Sequence, residues 1–152
     1  MFAPVPTIQP HFALVNMARS HLQGILASPS FARSRRHRRF LSYLLDASLC
    51  RPGTATKEMI IAVEVFGRTP DAYDARLDPI VRIEAGRLRQ RLCDYYAGEG
   101  ADAAIRFDVP RGAYALSVTL RPAIAALTLS GHNAVAGRLN EIHTLRRAAN
   151  QV

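Results

Sequence analysis

The side chains of this chain that are best suited to chemistry are arginines on a predicted helix. Arg82, Gly86 and Arg89 are spaced four and three residues apart, so a helix places them on one face, with Arg87 on an adjacent row. A guanidinium presents a planar fork of N–H donors that matches phosphate oxygens and the major-groove edge of guanine. The spacing therefore favours contact with a nucleic acid. A solvated face with ion pairs such as Glu84 with Arg87 is the alternative.

A second basic position lies at the tip of a predicted β-hairpin. Arg111 stands between Pro110 and Gly112, and apolar residues alternate with polar or small ones on both sides of this turn. Pro110 limits the mobility of the tip, and Gly112 accepts a positive φ. The minor groove of a duplex has negative potential, so we expect Arg111 to contact it.

A third basic cluster opens another predicted helix, which Ser34 is expected to cap and which runs to about Cys50. Cations at a helix N-terminus are disfavoured by the helix dipole, so their presence there indicates a phosphate partner. A purely solvated cluster is the alternative. The four arginines of this first turn are Arg35, Arg36, Arg38 and Arg39.

The charge of the whole chain agrees with an anionic partner. The net charge is +8 and the pI about 10.5, and six arginines but no acidic residue precede Asp46. Apolar residues make up 49% of the chain, which is too high for a disordered protein. A basic globular domain usually meets a polyanion, although a merely soluble cationic protein has the same composition.

The hydrophobic pattern predicts the elements that must position these arginines: four helices followed by a hairpin. Asp78-Pro79 is a strong start for the fourth helix, because an N-cap acceptor precedes a proline at the first helical position. The third helix is apolar nearly all round and is predicted to be buried. The helices are expected at about 14–27, 34–50, 57–66 and 78–97, the hairpin at 105–118, and the buried stripe of the fourth helix at Val81, Ala85, Leu88, Leu92 and Tyr95.

These elements predict one domain over residues 14–118, preceded by a flexible segment, 1–13, and followed by an extension, 119–152. A helix is predicted within the extension, and its apolar stripe is expected to pack against a second copy and form a homodimer. Folding back onto residues 14–27 is the alternative. The stripe consists of Val135, Leu139, Ile142 and Leu145.

The sequence lacks the motifs that indicate several other classes of function. The five histidines have no metal-ligand spacing, and no nucleophile motif or nucleotide-binding loop occurs, so we expect no metal, no cofactor and no enzyme activity. No signal peptide and no apolar stretch of membrane-spanning length is evident. Cys50 and Cys93 stand alone and are predicted to be buried, which fits a reducing cytoplasm.

A family resemblance joins these pieces. Over roughly residues 22–118 the chain resembles the bacterial winged-helix module found N-terminal to adenylate-cyclase, TPR or β-propeller regions, and more distantly the DNA-binding domains of OmpR/PhoB-type response regulators. Gly86 departs from the module, which usually carries a basic residue there. The resemblance rests on Ile25-Leu-Ala-Ser-Pro-Ser-Phe31, Arg39-Phe-Leu-Ser-Tyr-Leu-Leu45, Val63-Glu-Val-Phe-Gly-Arg68, Asp78-Pro-Ile-Val-Arg-Ile-Glu-Ala85 and Val109-Pro-Arg-Gly-Ala-Tyr114.

The resemblance implies a mainly α fold with a β-hairpin wing (α+β), a winged helix-turn-helix. It implies a sequence-specific regulator of transcription that binds double-stranded DNA, with a recognition helix at about 79–97 in the major groove. Arg82, Arg87 and Arg89 take the recognition role, and Arg111 and Gly112 the wing role. The expected location is the cytoplasm, at the nucleoid, with the transcription machinery as a further partner. A winged-helix module that docks a protein, without specific DNA binding, is the alternative, and an RNA binder is a third.

Overall fold

The computed structural model describes residues 10–121, where the chain is mainly helical with one small antiparallel sheet. This confirms the α+β class. The elements, in chain order, are α1 (Pro10–Ala27), α2 (Pro29–Ala32), α3 (Arg35–Cys50), α4 (Glu58–Glu64), α5 (Ile80–Ala97), β1 (Ile105–Asp108) and β2 (Ser117–Leu120).

The α5 helix lies at the centre of the core and packs against α2, α3, α4 and β1. All five residues of its predicted stripe, from Val81 to Tyr95, are buried. Tyr96 is also buried, and its hydroxyl accepts a hydrogen bond of 2.7 Å from the N–H of Phe107, which ties the C-terminal end of α5 to β1. The helix that carries the three candidate recognition arginines is therefore packed on one side, and its other side is exposed.

The start of α5 differs from the prediction by one residue, because the helix begins at Ile80 and Pro79, not Asp78, occupies the N-cap position. The Oδ1 of Asp78 accepts a hydrogen bond of 3.1 Å from the N–H of Ile80, which satisfies one of the free donors at the helix N-terminus. The Oδ2 of the same carboxylate pairs with the Nε of Arg68 at 2.6 Å. Residues 67–79 are therefore anchored where they lead into α5.

Two features at the N-terminal end differ from the prediction. The first helix begins at Pro10, four residues before the expected start, because proline is well tolerated in a first helical turn. Ser28-Pro29-Ser30 follows the predicted end of the first helix at residue 27, and it also begins α2, with Pro29 again in the first turn. Phe31 of α2 is fully buried, so this short helix closes the core beside α5.

The α4 helix was predicted to be buried, and this is wrong for part of it. Ile61 and Ala62 are fully buried, whereas Met59 is 48% exposed and Ile60 is 40% exposed. The helix has only seven residues and packs by one side against α5, and within residues 10–121 its opposite side stays partly exposed.

The hairpin pairs β1 with β2 in the register Ile105↔Leu120, Phe107↔Val118. Its connection is the hairpin loop, residues 109–116, which is longer than the turn predicted around Arg111. The second strand starts late because the backbone before it bonds elsewhere. The Tyr114 carbonyl accepts from the N–H of Thr56 at 2.9 Å, and the Leu116 N–H donates to the Ser48 hydroxyl at 3.1 Å.

Among the helices of residues 10–121, none combines the length and the apolar character that crossing a membrane requires. The predicted tail stripe, Val135, Leu139, Ile142 and Leu145, lies outside the described residues, as does most of the N-terminal segment 1–13.

Candidate nucleic-acid interface

A groove of about 800 Å³ runs between α5 and the hairpin loop. One wall is the face of α5 on which the arginines were predicted, and the other is the tip of the hairpin. The fold thus brings together residues from two separate sequence clusters, which sequence reasoning assigned to one function without knowing their distance. The predicted site residues that line this groove are Arg82, Gly86, Arg89, Arg111 and Gly112.

Arg89 joins the two walls of the groove. Its Nε donates a 2.6 Å hydrogen bond to the carbonyl oxygen of Val109, and its Nη2 donates a 3.1 Å hydrogen bond to that of Pro110. The side chain is therefore half-buried and occupied in holding the hairpin loop. The sequence predicted a residue that contacts DNA, and the structure adds a positioning role through the loop backbone.

Arg82, at the other end of this wall, is exposed and contacts two neighbouring segments. Its Nη2 donates to the carbonyl oxygen of Ala75 at 2.8 Å, and its Nη1 lies 3.7 Å from Oε1 of Glu58. The same carboxylate oxygen accepts a 3.3 Å hydrogen bond from the hydroxyl of Tyr73. Glu58 thereby connects α4, the loop before α5 and the groove, a role that no sequence pattern indicated.

The tip of the hairpin is open to solvent. Arg111 is exposed, and within residues 10–121 it has no ion-pair partner. Gly112 beside it has φ 83°, the left-handed conformation predicted for the turn. Two carboxylates, Glu58 and Asp108, also line the groove and offset part of its positive charge. The exposed tip is therefore the part of the groove best suited to meet a phosphate.

The opposite flank of α5 holds a buried carboxylate surrounded by cations. Oε1 of Glu84 lies 2.8 Å from Nη1 of Arg87 and 3.2 Å from Nη1 of Arg36, and its Oε2 lies 2.9 Å from Nε2 of His37. The side chain of Glu84 is 3% exposed, whereas both arginines are more than half exposed. The ion pair of Glu84 with Arg87, expected under the alternative of a solvated helix face, is present, but Glu84 is buried and the extension of this cluster to α3 was not predicted.

Hydrogen bonding defines the protonation state of this Glu84 cluster. The Nε of Arg91 donates to Nδ1 of His37 at 3.1 Å, which requires Nδ1 to be unprotonated, so the proton sits on Nε2 and faces Glu84. Burial lowers the pKa of His37, and the charge of Arg91 lowers it further against the opposing effect of Glu84. Burial alone would raise the pKa of Glu84, but His37 and Arg36 outweigh it and leave this pKa lowered.

The four arginines at the start of α3 are not equivalent. Arg36 belongs to the Glu84 cluster, and Nη2 of Arg39 donates to the carbonyl oxygen of Glu64 at 2.7 Å. Arg35 and Arg38 are exposed and have no ion-pair partner within the described part of the chain. Ser34 does not cap the helix with its side chain, because its hydroxyl bonds to Nδ1 of His37 at 2.8 Å.

Between the two flanks, an outward ridge of α5 faces solvent. It consists of Ile83, Gly86 and Gln90, which are three and four residues apart and all exposed, and Gly86 and Gln90 also form the edge of the groove. Sequence reasoning did not single out Ile83 or Gln90, although the helical period that selected Val81 and Ala85 for the core also assigns these two positions to the opposite side.

Both cysteines are exposed, so the prediction that they are buried is wrong. Cys50 is the last residue of α3, where the packed part of the helix has ended, and Cys93 lines the groove on α5. Within residues 10–121 no group of three His, Cys, Asp or Glu side chains is arranged to hold a metal ion.

Comparison of the chain with family models, curated proteins and solved structures found no match.

Proposed function

We propose that this chain is a sequence-specific regulator of transcription that binds double-stranded DNA as a winged helix-turn-helix. In this proposal α4 and α5 form the helix-turn-helix, α5 is the recognition helix, and the hairpin is the wing. DNA and the transcription machinery are the partners, the bacterial cytoplasm is the location, and no catalysis is involved.

The observation that carries the proposal is the bridge from Arg89 to the hairpin loop. Because this side chain bonds the carbonyl oxygens of Val109 and Pro110, the open face of α5 and the tip of the hairpin are held side by side. A helix fits the major groove of B-DNA, and a tip beside it reaches the neighbouring backbone or minor groove. Two basic elements in a constant relative position are what such two-point contact requires.

The distribution of cations supports contact along both flanks of α5. Arg82 and Arg111 lie on the hairpin side. Arg87 lies on the opposite flank, in the Glu84 cluster, which contacts the start of α3 that also carries the exposed Arg35 and Arg38. A helix seated in the major groove has a phosphate strand on each side, and contacts to both strands set its orientation without reading sequence. The outward ridge between the flanks then faces the base edges.

The experiment is selection of bound sequences from a random pool of duplexes, followed by titration of the enriched duplex and of random duplex in a series of salt concentrations. The expected result is enrichment of one sequence and an affinity that falls steeply with salt. The enriched duplex should bind more tightly than random duplex by a factor on the order of 10³ or more, as is typical of such proteins. Binding of all duplexes with equal affinity would contradict a sequence-specific regulator.

A protein-docking module is the second candidate, and exposed apolar side chains favour it. Met59 and Ile60 are neighbours on α4 and are 48% and 40% exposed, and Leu77, in the loop before α5, is 83% exposed. Exposed apolar groups near one another are typical of protein contacts. The same selection experiment separates the candidates, because a docking module enriches no DNA sequence and keeps only weak, salt-sensitive binding.

The proposal includes a homodimer formed through the tail stripe, because a two-fold pair doubles the DNA contact and reads paired half-sites. This part is carried by the sequence spacing from Val135 to Leu145.

A further inference from the structure

Gly86, in the middle of the outward ridge, has no side chain and lies beside the apolar side chain of Ile83. Within residues 10–121, a Cβ at Gly86 would have no side chain and no other segment of the chain within 4 Å, so neither packing among these residues nor a positive φ requires glycine at this position. Glycine in a helix interior is unfavourable relative to alanine. Ile83, one turn earlier on the same ridge, is 46% exposed. A residue that weakens the helix therefore lies next to an exposed apolar side chain.

A single exposed isoleucine is common on protein surfaces, so exposure alone does not indicate that Ile83 binds a ligand. The position of Ile83 on α5 supplies the argument. Residues three apart on a helix are surface neighbours, and the side chain of Ile83 therefore borders the empty space over Gly86. Cations flank this place on both sides, with Arg82 towards the groove and Arg87 in the Glu84 cluster. A ligand held by the two flanks would bring an uncharged part of its surface to Ile83 and Gly86.

In a DNA major groove the apolar group of suitable size is the methyl group on C5 of a pyrimidine, and apolar side chains are its usual contacts. We propose that Ile83 and Gly86 form a binding place for a pyrimidine C5-methyl group, with the methyl lying over Gly86 and against Ile83. This inference rests on the proposed DNA-binding function and adds the chemistry that α5 reads. Thymine and 5-methylcytosine both carry this group.

The first test uses the duplex enriched from the random pool, with deoxyuridine replacing thymidine at one position at a time. Loss of one buried methyl contact is expected to weaken binding by the native chain about four-fold at one or two positions. Ile83→Ala is expected to bind the parent duplex about as weakly as the native chain binds the deoxyuridine duplex, and to be indifferent to the replacement. Phe12→Ala, which removes another exposed apolar side chain on α1, is the matched control and keeps the sensitivity.

The second test distinguishes the source of the methyl group and probes the empty space over Gly86. Where the enriched site carries cytosine, 5-methylcytosine replaces it, and a gain in affinity of about four-fold that Ile83→Ala loses assigns the methyl to that base. Gly86→Ala is expected to raise Tm by about 4 °C, because the helix is strengthened, and to weaken specific binding about ten-fold, because that space is filled.

The outcomes separate this inference from the proposed function. If no sequence is enriched from the pool, both fail. If a sequence is enriched but neither methyl removal nor methyl addition changes affinity at any position, the methyl-binding place is overturned and the regulator stands. The same holds if Ile83→Ala, with native Tm, keeps the full deoxyuridine sensitivity, or if Gly86→Ala binds as tightly as the native chain.

Discussion

The Nε of Arg89 on α5 lies 2.6 Å from the carbonyl oxygen of Val109, the first residue of the hairpin loop. A second hydrogen bond from Nη2 reaches the carbonyl oxygen of Pro110 at 3.1 Å. One side chain thus sets the distance between the two elements that the proposed function needs. It does so through backbone acceptors, so the link does not depend on the identity of the loop side chains.

Arg89→Gln is expected to loosen the hairpin loop without unfolding the domain. It removes the charged hydrogen bonds to the loop and should lower the free energy of unfolding by about 1 kcal/mol. Amide hydrogen exchange in residues 109–116 should accelerate, while exchange in the centre of α5 changes little. Arg89→Lys is the control for charge alone, because it keeps the cation but not the fork. Unchanged exchange in the loop of both variants would show that Arg89 does not position it.

Arg111→Ala should change DNA binding and leave stability alone, because the side chain is exposed. If Arg111 contacts a phosphate, the slope of log affinity against log salt should become shallower by about 0.9. The measurement is a titration of the enriched duplex at several salt concentrations, with Arg51→Ala, an exposed arginine beyond the end of α3, as the matched variant. An unchanged slope for Arg111→Ala would mean that the tip does not touch DNA.

The arginines of the first turn of α3 should divide into two groups. Replacing Arg35 and Arg38 with Gln should lower affinity for enriched and random duplex alike, while Tm stays native. The slope of log affinity against log salt should become shallower by about the amount expected for two phosphate contacts. Arg36→Gln should instead lower the free energy of unfolding by about 1 kcal/mol, because buried Glu84 loses a charged partner. Loss of affinity for the enriched duplex alone would show that Arg35 and Arg38 read sequence.

The Glu84 cluster predicts that the domain loses stability in acid. The pKa of His37 is lowered in the folded chain from its ordinary value of 6.5, so below about pH 6.5 the unfolded chain binds a proton that the folded chain does not. The contribution of His37 to the free energy of unfolding is therefore fully present above that pH, and it is lost as the pH drops towards the folded pKa. The lowered pKa of Glu84 acts in the same direction below about pH 4.5.

His37→Gln tests this assignment, because glutamine keeps an N–H donor for Glu84 but does not titrate. The free energy of unfolding, measured by urea denaturation between pH 7.5 and pH 5, should fall less steeply for His37→Gln than for the native chain. His21→Gln is the parallel variant, since burial lowers the pKa of His21 too and part of the slope belongs to it. Equal slopes for the native chain and His37→Gln would remove His37 from the acid response.

Truncation tests the proposed dimer, and the structure decides where the cut belongs. β2 ends at Leu120, and the N–H of Arg121 still donates to the carbonyl oxygen of Ala104 at 2.9 Å, so a cut after Thr119 would damage the sheet. The chain ending at Arg121 is expected to be a monomer by light scattering, at a concentration where the full chain is a dimer. The same oligomeric state for both chains would exclude the tail as the assembly element.

Helix positions and the buried face of α5 were predictable because they depend on local patterns. The stripe from Val81 to Tyr95 repeats with the helical period, and Asp78-Pro79 marks a helix start through groups that lie within three residues of each other. The left-handed turn at Gly112 was predictable for the same reason. Each of these features is determined by neighbours in the chain.

The partners of the arginines were decided by tertiary structure. Arg89 bonds to Val109, 20 residues away, and Arg36 reaches Glu84 across 48 residues, so no spacing in the sequence pairs them. The exposure of Met59 and Cys93 likewise depends on which neighbours a helix has in space. The sequence alone determined which side chains are cationic and which face of α5 is buried. The three-dimensional packing decided which cations hold the fold and which remain available for a ligand, because that outcome depends on contacts between distant segments.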